Sequence, residues 1–353
     1  MLKLISRVVP AVIVVVLGAA ALLAQSQAPK AVVRGTGSFT SFVENMDRSL
    51  DFYHDAFGME VPELPASGER PYNRPNPQLF KFFDIPGAKE RHQSARVPDS
   101  PIRVEIMEIQ QVPHKTIALR MQDPGNAAIV FLVRDLDAAL ARATKAKATV
   151  ATPGGKPVMV AEGAHSILIR DIDGRFIELR EPERPRADAN PAAQNLMDMR
   201  LLLTVNDMDE TTHIYRDVLG FRVADETKFA ADAGMRKLTG LSDAEMRRSR
   251  IQAPGSTLWI ELVEFKGVDR KPLEMKIQDR GAARLQLRVE DVNATVDAVK
   301  TAGLRVDSEG GVGQPIPPNF MGALIADPND FFLTAFAPCD GCAPTIGGAP
   351  AKH

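Results

Sequence analysis

The sequence predicts an α+β protein made of two related halves, each of which is itself duplicated. Four times an apolar strand ending in Val runs into a short polar stretch and then into helically spaced apolar residues, at "VENMD", "VRDLD", "VNDMD" and "VEDVN". Later landmarks of the chain recur at one fixed spacing. Strands that lead into helices and then into further strands are typical of the α+β class.

The four recurrent motifs predict strand ends followed by helix N-termini. The second residue after each Val can accept a hydrogen bond from the free amides of the first helical turn. These predicted N-caps are Asn45, Asp135, Asp207 and Asp291. The first and third helices end in "FYHDAFG" and "IYRDVLG". We expect Tyr53 and Tyr215 to pack inward there, and Gly58 and Gly220 to form left-handed caps.

The later landmarks indicate a tandem duplication. Three pairs of equivalent residues are each separated by 156 positions: Glu105 and Glu261, Val133 and Val289, and Asp171 and Asp327. Repeats of this length are domains rather than solenoid units. The charged, Pro-rich stretch "REPERPRADANPAAQ" indicates a linker. We therefore predict a first domain at 36–181, a linker at 182–197, a second domain at 198–338 and a flexible tail at 339–353.

The N-terminus differs from the rest of the chain. Lys3 and Arg7 precede the apolar run "VVPAVIVVVLGAAALLA", which small and polar residues follow. This pattern predicts a secretory signal peptide at 1–28. The alternative is an uncleaved membrane anchor, against which Pro10 and the shortness of the run argue. We expect an exported protein, periplasmic or secreted, with no stable membrane insertion after cleavage.

Composition and cysteine content narrow the functional classes. Of the 353 residues 44% are apolar and 25% charged, a balance that suits a globular protein with two cores. The net charge of -2 leaves no basic surplus for phosphates, so we expect no nucleic-acid partner. Cys339 and Cys342 are the only cysteines, and export favours a local disulfide between them over a redox or metal-binding role. These features do not determine an oligomeric state.

The repeated pattern resembles the vicinal oxygen chelate superfamily, which includes glyoxalase I, extradiol dioxygenases and the fosfomycin and bleomycin resistance proteins. The likeness rests on the capped helix ending "FYHDAFG" and the closing segment "DIDGRFIEL", and it covers residues 38–181 and 200–338. It implies that each half-unit folds as βαβββ. It also implies tandem domains, each pairing two such modules into an eight-stranded, mixed-sheet cup that binds a small molecule.

The resemblance also implies where a metal would bind. Catalytic members hold a divalent ion through the first strand of each module and the Glu of the closing strand. The matching positions are Ser38, Glu105, Ala128 and Glu178 in the first domain, and Arg200, Glu261, Arg284 and Thr334 in the second. The usual first-strand histidines or glutamines are absent from all four modules. The cofactor is thus either none or an iron, manganese or zinc ion held by Glu105 and Glu178. The histidines that could complete such a site are His92, His114 and His165.

Strand alternation predicts which side chains line each cup, because the Val-bearing face must pack on the helices. The predicted lining of the first cup is Ser38, Thr40, Phe42, Glu105, Val130, Leu132, Phe176 and Glu178. Such an apolar pocket with two acids suits a neutral or cationic organic molecule. In the second cup, Arg200 and Arg284 could clamp an anion. Alternatively, Arg200, Glu261 and Arg284 could pair as a buried ion cluster.

Three functions remain open at this point. The first is an exported protein that binds a small organic molecule, with ligand-binding candidates Ser38, Thr40, Glu105, Glu178, Arg200, Glu261, Arg284 and Thr334. The second is a metal-dependent lyase or dioxygenase that acts in the first domain through Glu105 and Glu178. The third is a structural protein in which both cups have closed.

Overall fold

The computed structural model describes residues 31–68, 70–73, 77–160, 163–183, 195–316 and 319–339. They form four modules in chain order. Module 1 contains β1 (Val33–Val43), α1 (Met46–Phe57), α2 (Pro77–Phe83), β2 (Lys89–Arg96) and β3 (Arg103–Gln110). Module 2 contains β4 (Ala127–Val133), α3 (Leu136–Lys145), β5 (Thr149–Val150), β6 (Val158–Met159), β7 (His165–Arg170) and β8 (Phe176–Glu181).

Modules 3 and 4 repeat this order. Module 3 contains β9 (Leu196–Thr204), α4 (Met208–His213), a π-helical continuation (Ile214–Val218), β10 (Arg222–Glu226), β11 (Ala230–Ala231), α5 (Ala233–Thr239), β12 (Glu245–Gln252) and β13 (Trp259–Lys266). Module 4 contains β14 (Ala283–Val289), α6 (Val292–Thr301), β15 (Arg305–Val306), β16 (Gln314–Ile316), β17 (Phe320–Ala326) and β18 (Phe332–Pro338).

The predicted helix caps are confirmed. The side chain of each predicted N-cap accepts a hydrogen bond from the backbone amide three residues later, at donor–acceptor distances of 2.8 to 3.0 Å. Gly58 ends α1 with a φ of 67°, and Gly220 follows the π-helical segment with a φ of 76°. This left-handed conformation is the reason for glycine at both positions.

The modules pair differently from the prediction. One sheet has the strand order β15-β17-β18-β14-β1-β3-β2, and the other β10-β12-β13-β9-β4-β8-β7-β5. The first module therefore pairs with the fourth, through antiparallel β1 and β14, and the second with the third, through β4 and β9. We call the resulting structures cup 1/4 and cup 2/3. The predicted α+β fold with two modules in each mixed-sheet cup is confirmed, and the two modules that share a cup are not consecutive in the chain.

Two glycines of β1 allow side chains of β14 to lie close to its backbone. A Cβ on Gly35 would lie 2.7 Å from Nη2 of Arg288, and one on Gly37 would lie 2.6 Å from Oε1 of Gln286. Both neighbours belong to β14, so β1 leaves room for side chains of its partner strand. Along the chain, modules 1–2 correspond to the predicted domain at 36–181 and modules 3–4 to that at 198–338, although β1 begins at Val33 and β9 at Leu196. Each of these pairs of modules is nevertheless divided between the two sheets.

The convex faces of both sheets and the helices form one apolar core, as strand alternation predicts. Leu201 and Leu203 of β9 and Val205 directly after it lie in this core, and so do their equivalents Leu285, Leu287 and Val289 of β14. Modules 1 and 2 meet here, where the ring centroids of Phe57 and Phe131 are 4.6 Å apart. Residues on the other face of each strand are therefore directed into the cups.

The predictions for the two ends of the chain and for the linker fall largely outside the described residues. In the part of the chain that the structure describes, no helix is long and apolar enough to cross a membrane. The predicted signal peptide at 1–28 lies outside the described residues, as do most of the predicted linker and of the tail. Cys339 is disulfide-bonded, and Cys342, the only other cysteine, lies outside the described residues. The specific pairing stays a prediction.

Candidate functional site

Cup 2/3 encloses a cavity of about 720 Å³. Its floor and walls come from the inner faces of both modules, and the segment from β10 to α5 forms one further wall. The charged side chains along it are Arg180, Arg200, Asp225, Lys228, Asp232, Arg248, Arg250 and Glu261. Its apolar lining includes Leu132, Val160, Met235 and Met246. A volume of this size accommodates a small organic molecule.

The floor of the cavity is built around the guanidinium group of Arg180. This group donates to both oxygens of Glu178, from Nε at 2.8 Å and from Nη2 at 3.0 Å. It also donates to both oxygens of Glu261, from Nη1 at 2.8 Å and from Nη2 at 3.0 Å. Ser166 Oγ donates to Glu178 Oε1 at 2.7 Å. Arg180 therefore bridges two carboxylates that come from the closing strands of different modules.

The charges on the floor compensate one another. Burial alone would raise the pKa of Glu261, but the charge and hydrogen bonds of Arg180, and then those of Arg200, lower that pKa to about 2. Burial would lower the pKa of Arg180, but the charges of Glu178 and Glu261 outweigh it and raise the pKa well above its usual value. Both partners thus stay ionised at any physiological pH.

The described residues satisfy the hydrogen-bond donors of Arg200 only in part. Its Nη1 donates to Glu261 Oε1 at 3.1 Å. Its Nε is buried and has no hydrogen-bond partner among the described residues. A buried N–H without an acceptor is costly, so the protein alone does not fully satisfy this guanidinium group. Arg200 lines the cavity and its side chain is 23% exposed, so the end of its guanidinium group can reach a bound molecule, although the shielded Nε cannot.

Two further arginines stand at the rim, on the cup-facing positions of β12. Arg248 forms an ion pair with Asp232, and Arg250 forms one with Asp225. Both aspartates belong to the segment that forms the outer wall. The Arg250 guanidinium also lies 5.7 Å from the ring centroid of Trp259.

Cup 1/4 contains a different buried pair at the equivalent positions. Glu105 Oε2 accepts hydrogen bonds from Arg284 Nη2 at 2.6 Å and from Thr40 Oγ1 at 2.7 Å. Burial would raise the pKa of Glu105, but the charge of Arg284, then that of His92 and the hydrogen bonds, hold it below its usual value. The rings of Phe83 and Phe42 cover the Arg284 guanidinium, with centroids 5.2 and 6.0 Å away.

The helices α2 and α5 explain why the cups differ. They occupy equivalent places in modules 1 and 3. In cup 1/4, α2 places the buried rings of Phe80, Phe82 and Phe83 inside the cup, and Ser308 Oγ donates to the backbone oxygen of Phe82 at 2.9 Å. In cup 2/3, α5 has the sequence "AGMRKLT" and carries no aromatic ring. Cup 1/4 is consequently filled by side chains, whereas cup 2/3 retains its cavity.

The candidate residues predicted from sequence are divided between the cups by strand, not by domain. The strands of cup 1/4 carry Ser38, Thr40, Glu105, Arg284 and Thr334, and those of cup 2/3 carry Glu178, Arg200 and Glu261. The lining predicted for each cup was therefore a mixture of both. Of the predicted ion cluster, Arg200 pairs with Glu261, but Arg284 pairs with Glu105 in the other cup. Arg200 and Arg284 cannot clamp one anion together.

The two predicted metal ligands, Glu105 and Glu178, are not brought together. Glu105 lies on β3 of cup 1/4 and Glu178 on β8 of cup 2/3, so they do not share a site. Each of these carboxylates is already bound to a guanidinium group. Of the candidate histidines, His92 lies on β2 with its Nδ1 2.9 Å from Glu90 Oε2, and His114 and His165 are exposed. Within the described ranges, no group of three or more His, Cys, Asp or Glu side chains could hold a metal ion.

The most important residue of the floor, Arg180, was missed. A signal for it exists, because Arg180 follows Glu178 by two positions in "IELRE" and must share its face of the strand. Arg248 and Arg250 are likewise two positions apart in "RRSRI", so they share one face of their strand. Positions that match the metal ligands of relatives do not include Arg180, because it lies two residues beyond such a position.

Two sheets of paired βαβββ modules, each with a cup at the centre, define the class of fold. The chain belongs to the Glyoxalase/Bleomycin resistance protein/Dioxygenase superfamily, whose model matches residues 35–179 and 199–328. It is similar in structure to glyoxalase I from Zea mays, with a TM-score of 0.53 and 15% identity over 87% of this chain and 92% of that chain.

A second similar structure is a putative dioxygenase from Bacillus subtilis subsp. subtilis str. 168. Its TM-score is 0.52 and its identity 14%, over 88% of this chain and 86% of that chain. Likeness at this level of identity shows the fold alone. No curated protein matches the sequence significantly.

The residues at the family's metal position do not fit a divalent ion. In cup 2/3 all four oxygens of Glu178 and Glu261 accept hydrogen bonds from Arg180, and the guanidinium carries the positive charge between them. A cation beside that group would be repelled. In cup 1/4, Arg284 donates a hydrogen bond to Glu105, and its positive charge would repel a cation in the same way.

Proposed function

We propose that this protein binds a small organic molecule with an anionic group in cup 2/3. The observation that carries the proposal is the guanidinium group of Arg200, which is partly exposed at the floor of a cavity of about 720 Å³ and is held there by Glu261. The carboxylates of the floor are compensated by Arg180, so they do not oppose an incoming anion. Charge-assisted hydrogen bonds from Arg200 would fix the anionic group, and the apolar lining would hold the remainder.

The other functions considered from sequence have weaker support. A metal-dependent lyase or dioxygenase in the first domain would need Glu105 and Glu178 in one site, and they lie in different cups. Closed, purely structural cups match cup 1/4, where phenylalanines fill the interior. They do not match cup 2/3. The open cup therefore supports ligand binding best.

The test uses anions paired with neutral molecules that share the same ring. We would measure the melting temperature and the heat of binding with benzoate against benzamide, and with phenyl phosphate against phenol. The expected result is binding of the anion of a pair at least tenfold tighter, because a hydrogen bond to a charged group contributes about 1.5–3 kcal/mol. Arg200→Gln should abolish this preference, and the control Arg34→Gln, outside the cavity, should retain it. Equal binding of anions and neutral molecules, or binding of neither, would refute the proposal.

We also propose that the protein acts outside the cytoplasm, on the grounds of the signal-like sequence at 1–28. Fractionation of expressing cells, together with N-terminal sequencing of the purified protein, tests this. The expected result is a mature chain that begins near residue 29 in the periplasm or medium. An intact Met1 on cytoplasmic protein would contradict it.

A further inference from the structure

We infer that the ligand of cup 2/3 carries two acidic groups, and that Arg248 and Arg250 bind the second one by exchanging it for Asp232 and Asp225. The inference rests on the proposed function and extends it from an anion to a diacid with an apolar centre. It makes the two rim arginines the residues that determine specificity.

The rim arginines are positioned to reach the cavity. Both occupy cup-facing positions of β12, two residues apart, and both line the cavity. The neighbouring strand β13 places Glu261 directly opposite Arg250. Arg200 and the rim arginines thus border the same space, with Arg200 at the floor and the other two near the mouth.

The ion pairs at the rim are weak enough to be exchanged. The side chains of Arg248 and Asp232 are 30% and 25% exposed, and those of Arg250 and Asp225 are 39% and 48% exposed. Ion pairs in contact with solvent contribute about 0–1 kcal/mol. A ligand acid that replaces one aspartate therefore loses little from the broken pair. The floor is different, because Arg180 there is only 16% exposed and donates four hydrogen bonds.

The exchange would not dislodge the outer wall. Asp232 also caps α5, because its Oδ1 accepts a hydrogen bond from the backbone N of Met235 at 2.9 Å, and this bond does not depend on Arg248. Gly234 packs α5 tightly on β6, where an added Cβ would lie 2.5 Å from the backbone oxygen of Met159. Met235 and Leu238 are buried. The wall is held by packing, so the aspartates are free to release the arginines.

The chemistry between floor and rim indicates the rest of the ligand. Leu132, Val160, Met235 and Met246 contribute apolar surface to the cavity. A flexible, fully polar molecule would leave this surface unused. The favoured class is a diacid, carboxylic or phosphoric, whose acidic groups are separated by a compact apolar or aromatic centre.

The experiment compares a diacid with the matching monoacid. The probes are isophthalate and terephthalate against benzoate, with dissociation constants from calorimetry at fixed ionic strength. We expect at least one diacid to bind about tenfold tighter than benzoate. Arg248→Gln and Arg250→Gln should reduce that advantage severalfold, because they should weaken diacid binding more than benzoate binding.

The aspartate variants decide whether Asp232 and Asp225 compete with the ligand, because competition predicts that their removal tightens diacid binding. Asp232→Asn retains the cap of α5, since Asn caps helices as well as Asp does. Asp232→Asn and Asp225→Asn should tighten diacid binding severalfold, because they remove the internal competitors of the ligand. Lys237→Gln, which removes a charge from α5 outside the cavity lining, serves as the control and should change nothing.

The outcomes separate this inference from the proposed function. If benzoate binds through Arg200 but diacids bind no better, the inference fails and the proposed function stands. It also fails if the aspartate variants weaken diacid binding, or if the arginine variants weaken benzoate and diacid equally. If neither benzoate nor any diacid binds, the proposed function fails as well.

Discussion

The hydroxyl of Tyr53 donates a hydrogen bond to Asp171 Oδ2 at 3.1 Å, and Tyr215 makes the equivalent bond to Asp327 Oδ2 at 3.1 Å. Each tyrosine stands near the end of a first helix, and each aspartate stands in the closing turn of the next module. The repeated helix ending therefore joins module 1 to module 2 and module 3 to module 4. The sheets, in contrast, join 1 to 4 and 2 to 3, so every module is attached to two others.

These aspartates should make the protein more stable at mildly acidic pH. Burial raises the pKa of Asp171 and of Asp327 to about 6. Each native carboxyl thus binds its proton more tightly than in the unfolded chain, and its contribution is lost as the pH rises from about 4 through 6. His92 acts in the same direction, because the hydrogen bond to Glu90 raises its pKa. Between pH 5 and 7 we expect each aspartate to change the free energy of unfolding by about 1 kcal/mol.

Urea unfolding across this pH range tests the expectation. The double variant Asp171→Asn, Asp327→Asn should flatten the dependence, whereas Asp137→Asn on the exposed face of α3 should leave it unchanged. A wild-type protein that gains stability from pH 5 to 7 would contradict the assignment.

The buried pair in cup 1/4 should be tolerated only as a pair. Arg284→Met alone leaves Glu105 charged and buried, and we expect a loss of about 3–5 kcal/mol in the free energy of unfolding. Glu105→Leu alone should also be strongly destabilising, because it leaves Arg284 charged and buried without its partner. The double variant should return to within about 1–2 kcal/mol of the wild type, since apolar groups then fill the same space. Additive losses in this double-mutant cycle would show that the two side chains do not interact.

The aromatic filling of cup 1/4 should be important for stability. Phe83 is buried and its ring packs edge-on against Phe42, with centroids 6.4 Å apart. Phe83→Ala should cost about 3–5 kcal/mol through lost burial and the cavity that remains. Met235→Ala on the equivalent helix borders an existing cavity, so we expect a smaller loss. Denaturant unfolding of both variants decides the comparison, and equal losses would argue against a difference in packing between the cups.

Gly234 should resist replacement by alanine. Alanine is the better helix former by about 1 kcal/mol, so the substitution would be stabilising on propensity alone. Here the added Cβ would meet backbone atoms of Met159 and Val160, which cannot move without displacing β6. We expect a lower melting temperature for Gly234→Ala and almost no change for Lys237→Ala on the exposed face of the same helix. A stabilised Gly234→Ala variant would mean that α5 is not held against β6.

The sequence predicted which face of each strand is directed into a cup, but not which strands lie side by side in a sheet. A period of two assigns Arg200 and Arg284 to cup-facing positions, because side chains on a strand alternate. The same period does not determine which strands lie beside β1 in the sheet. That choice depends on contacts such as Gly35 with Arg288, between residues far apart in the chain. The pairing of Glu105 with Arg284, and of Glu178 with Arg180, follows from it and was beyond reach for the same reason.

The pairing of the first module with the last has a consequence for how the protein is made. Val33 at the start of β1 is registered against Val289 of β14, so the two strands meet only after almost the whole chain has been synthesised. Modules 2 and 3 can close their cup earlier, once β13 has emerged. Until β14 arrives, β1 presents an open edge to other chains, which is the feature that promotes aggregation of incomplete β-proteins. A nascent chain released after β13 would contain a complete cup 2/3 together with an unprotected β1.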